Sequence, residues 1–308
     1  MNFGYNKPGI FSVNLLYLVL AILLLSVGFM VQSQELYKGL LVTEYVLILI
    51  PNIIFIKMKR LSLKRVLRLN GFSLKQLAYT VLIVLFSYPI AVFFNLMVMN
   101  IVNIFTEFVP TTVPIPMTTS ELLYSFLIIA ISPGICEEVM FRGTMLSAYE
   151  SIGYKKSIVI TSILFGLFHF NITNLVGPAF LGAVLAIVAI KSNSIFLPVI
   201  GHALNNSIAL LIGYFATRYS PELDNLDAGL ESGLVSDAAA MVISTITIGI
   251  IALLCGLVLY RLIKKFPVSY RPAVGMNGAS TSSSLSYIPV AIVIVMFIVL
   301  TFFTLRYV

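Results

Sequence analysis

The chain is dominated by long apolar runs almost free of charge, and a helix that crosses the ~30 Å hydrocarbon core of a bilayer needs about 20 such residues. Nine runs fit that description, at 10–32, 40–57, 76–103, 122–149, 155–171, 177–191, 195–216, 237–263 and 287–306. Lipid offers no partner to backbone N–H and C=O groups, so a crossing segment must satisfy them internally, as a helix does. The predicted fold is therefore all-α, a polytopic transmembrane helical bundle of about eight core helices plus one C-terminal helix. Only 10% of the residues are charged, against roughly 25% in a soluble domain, so lipid is the main solvent. The run that starts at Ile10 is longer than a signal-peptide core and lacks a small-residue cleavage site, which reads as a retained helix. The fifth and sixth runs are short and partly polar, as expected of helices covered by their neighbours.

The basic residues give the runs a direction. With the N-terminus cytoplasmic, 16 of the 19 Lys and Arg residues fall on the inner side, and only Lys38, Arg218 and Arg306 fall outside. That is a strong positive-inside asymmetry. Glu107, Glu121, Glu222, Asp224, Asp227, Glu231 and Asp237 fall on the outer side. The expected topology is a multi-pass protein of the cell membrane with nine spans, N-terminus in and C-terminus out. The net charge of +7 is scattered over short loops rather than gathered on a folded domain, so no nucleic-acid partner is expected. Nothing in the pattern specifies an oligomeric state. Cys136 and Cys255 both lie in apolar runs, so no disulfide framework is indicated.

Four regions follow from the pattern. Residues 1–56 hold two N-terminal helices, 57–262 the core, 263–286 a cytoplasmic linker rich in Ser, Gly and Ala, and 287–308 an extra C-terminal helix. Within the core, Leu61–Asn70 alternates Lys and Arg with aliphatic residues at helical spacing. Such a segment is expected to lie on the inner membrane surface, drawn by anionic lipid.

Ionisable groups inside spans are costly and mark functional sites. Glu137, Glu138 and Arg142 sit in the fourth run, His169 in the fifth, and His202 with Asn206 in the seventh; these are the chain's only two histidines. The fourth and fifth runs should form a hairpin at Gly153, with Glu137 sixteen residues before it and His169 sixteen after. At about 1.5 Å per residue both reach the same depth. His202 and Asn206, at i and i+4, share a helix face at a similar level. Glu138 and Arg142 are also at i and i+4 and should pair. Glu137 points about 100° away and stays free, as a general base requires. Pro133 and Gly134 are expected to open the helix locally to water.

These residues resemble a known family. EEVMFR, FGLFH and HALNN match the patterns EExxxR, FxxxH and HxxxN of the CPBP family, which includes type II CAAX prenyl endopeptidases and bacterial bacteriocin-processing or immunity proteins. The resemblance covers about residues 57–262. It implies an intramembrane glutamic endopeptidase acting on a peptide or membrane-protein substrate, with no cofactor. Glu137 would activate a water held with His169, His202 and Asn206 would stabilise the oxyanion, and Glu138 and Arg142 would support the site.

Other readings use the same residues. Glu137, His169 and His202 are chemically a zinc set, two histidines and a carboxylate, although no HExxH is present. Cys136 beside Glu137 offers a thiol, but apolar surroundings leave a thiol inert. A polar-relay transporter would string these groups across the membrane, whereas here they gather at one level. A non-catalytic immunity or regulatory protein would keep the fold without turnover.

Overall fold

The computed structural model describes residues 7–106, 115–227, 237–269 and 283–307, and among these there are helices and no strands. The helices are α1 (Ile10–Gln34), α2 (Leu36–Met58), α3 (Leu74–Asn103) and α4 (Thr119–Ile152), followed by α5 (Tyr154–Leu167), α6 (Val176–Ser192), α7 (Phe196–Asp227), α8 (Asp237–Lys265) and α9 (Ile288–Tyr307). Eight of the nine supply a segment long and apolar enough to cross a membrane; α5, with 14 residues, does not. The chain is a polytopic helical bundle, as expected from its apolar runs. The run 155–171 is shorter than expected because the helix stops at Leu167, and Phe170 takes a left-handed conformation at φ 46° that turns the chain before a second capped turn at Asn171.

The loops expected on the inner side do share one end of the bundle. Glu150, at the end of α4, pairs with Lys7 and with Arg68. Asn70 donates to Asn193 O at 2.8 Å and receives Ser194 Oγ at 2.7 Å. Gln76 caps the start of α3 together with Ser73, in a reciprocal capping box, and reaches Pro267 O at 3.0 Å. The segment 61–70 does not lie flat with its apolar side toward lipid. Only Leu63–Val66 is helical, and Val66, Leu67 and Arg68 are buried against the bundle end. Burying the two apolar side chains beside Ile56, Val139 and Ile195 takes them out of water, and the Glu150 carboxylate pairs with one terminal nitrogen of the arginine. The linker residues 270–282, and Glu107 and Glu231 of the acidic outer set, lie outside the described residues.

Between helices in lipid, packing and hydrogen bonds hold what the hydrophobic effect cannot. α1 is tied in by Tyr17, which donates to Leu164 O at 2.8 Å, and by Asn14, which accepts from Tyr149 Oη at 2.8 Å and donates to Ser286 O. α9 packs on α1 through Val290, Val293 and Phe297, in the apolar cluster that also holds Phe141, Phe165 and Phe168. Small residues let the central helices approach closely. A Cβ at Gly134 would stand 3.1 Å from Val199 O and 3.2 Å from Ala203, so this glycine seats α4 on α7 rather than opening α4. A Cβ at Gly166 would stand 2.3 Å from Leu175 O.

Gly166→Ala is therefore expected to cost about 1–3 kcal/mol, since backbone and not a flexible side chain must yield. Gly71→Ala, at a position with nothing within 4 Å of the new Cβ, should stay within about 0.5 kcal/mol. Thermal unfolding of the two variants in detergent checks the contrast.

Candidate active site

α4 does not keep a uniform α-helical pitch through the site. It is π-helical over Phe126–Ile131 and Val139–Met145, on either side of the glutamate pair, and α2 is π-helical over Val42–Leu49. Wider turns shift side chains and free carbonyls, and such turns recur at functional sites. One carbonyl lacks its helical donor because Pro133, four residues after Ile129, has no N–H, and it is used directly: Asn206 Nδ2 on α7 donates to Ile129 O at 3.0 Å.

Glu138 is the anchor of the site. It is fully buried, and its Oε1 lies 2.8 Å from Arg142 Nη1, an ion pair within one helix face, and 2.9 Å from His202 Nδ1 on α7. Arg142 Nη2 also donates to Gly182 O on α6 at 3.2 Å, and the guanidinium stacks over Phe165 at 4.5 Å. Three neighbouring helices therefore meet on one charge pair. The expected Glu138–Arg142 pairing is observed; the bond to His202 is an additional role for Glu138. A carboxylate only accepts, so the shared hydrogen sits on His202 Nδ1, and Nε2 is turned away from Glu138.

Glu137 is left free, as the 100° offset requires. Its Oε2 is buried without a hydrogen-bond partner and lies 4.0 Å from His202 Nε2. His169 lies two residues beyond the end of α5, not within a span. Its Nδ1 donates to Phe165 O at 2.9 Å, satisfying a carbonyl of the last helical turn and leaving Nε2 available. Phe165 packs perpendicular to both histidine rings, with centroids at 5.2 and 5.7 Å. Glu137, His169, His202 and Asn206 all line one cavity of about 660 Å³, whereas Glu138 and Arg142 stand behind its wall. Asn206 also accepts from Asn205 Nδ2 at 3.2 Å, so its amide is held from both sides.

One lining residue was not singled out from the sequence. Glu44, in the π-helical part of α2, is 5% exposed, has an unpartnered buried Oε2, and is close enough to Glu137 for their charges to interact. The signal was present, a lone carboxylate inside an apolar run, but no motif partner stands at helical spacing from it. Among the described residues no three His, Cys, Asp or Glu side chains are grouped to hold a metal ion.

The fold and this cluster define a helical membrane protein with a buried carboxylate–histidine site. Residues 119–208, which hold all six motif residues, match the family model described as Type II CAAX prenyl endopeptidase Rce1-like. At the level of the family, the match supports likeness of that segment to a CAAX-type intramembrane protease domain. No curated protein and no solved structure matches the chain.

The two buried carboxylates should respond oppositely to removal of charge. Arg142→Met strands Glu138 and is expected to cost about 3 kcal/mol. Glu44→Met removes an unpartnered carboxylate and should stabilise by about 1 kcal/mol or more. Thermal unfolding midpoints in one detergent read both signs.

Proposed function

We propose that the protein is an intramembrane endopeptidase that hydrolyses peptide bonds with a water activated by Glu137. The observation that carries this reading is the free Glu137 carboxylate, 4.0 Å from His202 Nε2 on the wall of a cavity shared with His169 and Asn206. Amide hydrolysis needs a base, a water and oxyanion donors around one carbonyl. Glu137 removes a proton from the water as its oxygen bonds to the carbonyl carbon. The same carboxyl then hands that proton to the leaving nitrogen. His169 Nε2 accepts the water's other hydrogen and keeps a lone pair directed at the substrate.

The oxyanion takes hydrogen bonds from Asn206 Nδ2 and from His202 Nε2. His202 already gives its Nδ1 hydrogen to Glu138, so it donates through Nε2 only as an imidazolium. Glu138 is placed to stabilise that cation, and Arg142 holds Glu138 in place. On this reading Glu138 and Arg142 act through His202 and touch no reacting atom. The expected substrate is a peptide or membrane protein. A zinc held by Glu137 and the histidines would make the water a metal ligand instead, and the test below separates the two cases.

The purified protein, assayed on internally quenched peptides, is expected to keep its cleavage in the presence of a chelator. Glu137→Gln should lose about 100- to 10,000-fold in kcat, and Asn206→Ala about 100- to 1,000-fold. Cleavage abolished by the chelator and restored by zinc would replace the glutamate-only mechanism with a metallopeptidase. Wild-type cleavage by Glu137→Gln would sink both.

A further inference from the structure

The cavity has a direction along the bundle. Each helix that lines it does so from the level of the candidate residues away from the basic end. α4 contributes Ile129, Pro133 and Glu137 and nothing nearer that end. α7 contributes from His202 as far as Gly213, eleven residues on, or about 16 Å along the helix axis. α2 contributes Leu40 and Glu44, from its half remote from Met58. At the far end Ile115 and Ile212 are about half exposed, at 45% and 52%.

Toward the basic end the bundle is solid. Every residue of α4 from Glu138 to Tyr149 is buried. Leu67 packs directly on Gly143, where a Cβ would stand 2.4 Å from Leu67 Cδ2. Around this contact Val66, Ile56, Val139 and Ile195 form one apolar cluster, and the loops below it are tied together by Arg68, Glu150, Asn70 and Asn193. The segment 61–70, read from its sequence as a surface helix, is a plug.

We propose that the substrate is an apolar peptide segment that reaches Glu137 from the end of the bundle opposite the basic loops, entering past Ile212. The wall it meets is mainly aliphatic, with Leu40, Val92, Leu181 and Ala209 leading to the polar residues, which fits apolar side chains flanking the scissile bond. Because basic loops remain cytoplasmic, the segment is presented from the non-cytoplasmic side of the membrane. The identity of the occupant rests on the peptidase reading; the route does not.

The route is tested without turnover. Val92→Cys, Ala209→Cys and, as a marker of the basic end, Lys64→Cys are each placed in a full-length chain carrying Cys136→Ala and Cys255→Ala. A charged, membrane-impermeant thiol reagent is applied to sealed right-side-out and inside-out vesicles. Both cavity cysteines are expected to lose their free thiol only from the side on which Lys64→Cys is protected. Two cavity positions guard against one variant misfolding. Blocking from the same side as Lys64→Cys, or from neither side, overturns the proposal. Failure of the Glu137 assay alongside opposite-side blocking would remove the peptidase and keep the route.

Discussion

A buried carboxylate held by an arginine of its own helix and a histidine of another is the constraint on which this bundle depends. Glu138 cannot be left alone in a poorly solvated interior, because an unpaired buried charge is among the costliest defects a fold can carry. Its partners come from its own helix, Arg142, and from α7, His202. Arg142 in turn spends its second terminal nitrogen on α6. The register of α4, α6 and α7 is therefore set by one chain of polar contacts, and the apolar residues around it have only to fill the space. In lipid, where apolar surfaces gain little from meeting one another, such contacts carry more of the specificity than they would in water.

That constraint also separates two adjacent glutamates into different roles. Glu138 is tied through one oxygen to Arg142 and His202, whereas Glu137, one residue earlier, lines the cavity with no hydrogen-bond partner on its buried Oε2. The π-helical turns on both sides of the pair adjust the phase of α4, and Pro133, lacking an N–H, leaves Ile129 O to fix Asn206. His169 is fixed by a different device, the exposed carbonyl end of a short helix. A long span at this point would have used that carbonyl internally. The shortness of α5 and the placement of His169 are thus one feature.

Much of this was legible from the chain. Apolar run lengths predicted the bundle, and the asymmetry of Lys and Arg predicted which loops share an end, as the Glu150 and Asn70 contacts bear out. Spacing about Gly153 brought Glu137 and His169 to one level, and the i, i+4 rule paired Glu138 with Arg142. The bond from His202 to Glu138 spans 64 residues of sequence, and no local periodicity encodes it. The end of α5 was hidden because its stop is a left-handed Phe170, not a glycine or proline. Gly134 read as a weak point of α4, but its partner Ala203 is on another helix, and only the assembled pair reveals a close approach. Glu44 was visible as a charge within an apolar run, yet its significance lies in facing Glu137, a contact between helices distant in sequence.

Glu138 orients His202, while His169 is held independently by a backbone carbonyl. The chain has two histidines, so nitrogen NMR of protein labelled only at histidine reports both imidazoles without overlap and without a substrate. Each ring is expected to carry its hydrogen on Nδ1 at neutral pH, with or without a second on Nε2. Replacing Glu138 with Gln should move the His202 signals and leave those of His169 in place. A His202 spectrum indifferent to Glu138→Gln, or a His169 that shifts as much, would contradict the arrangement described for the site.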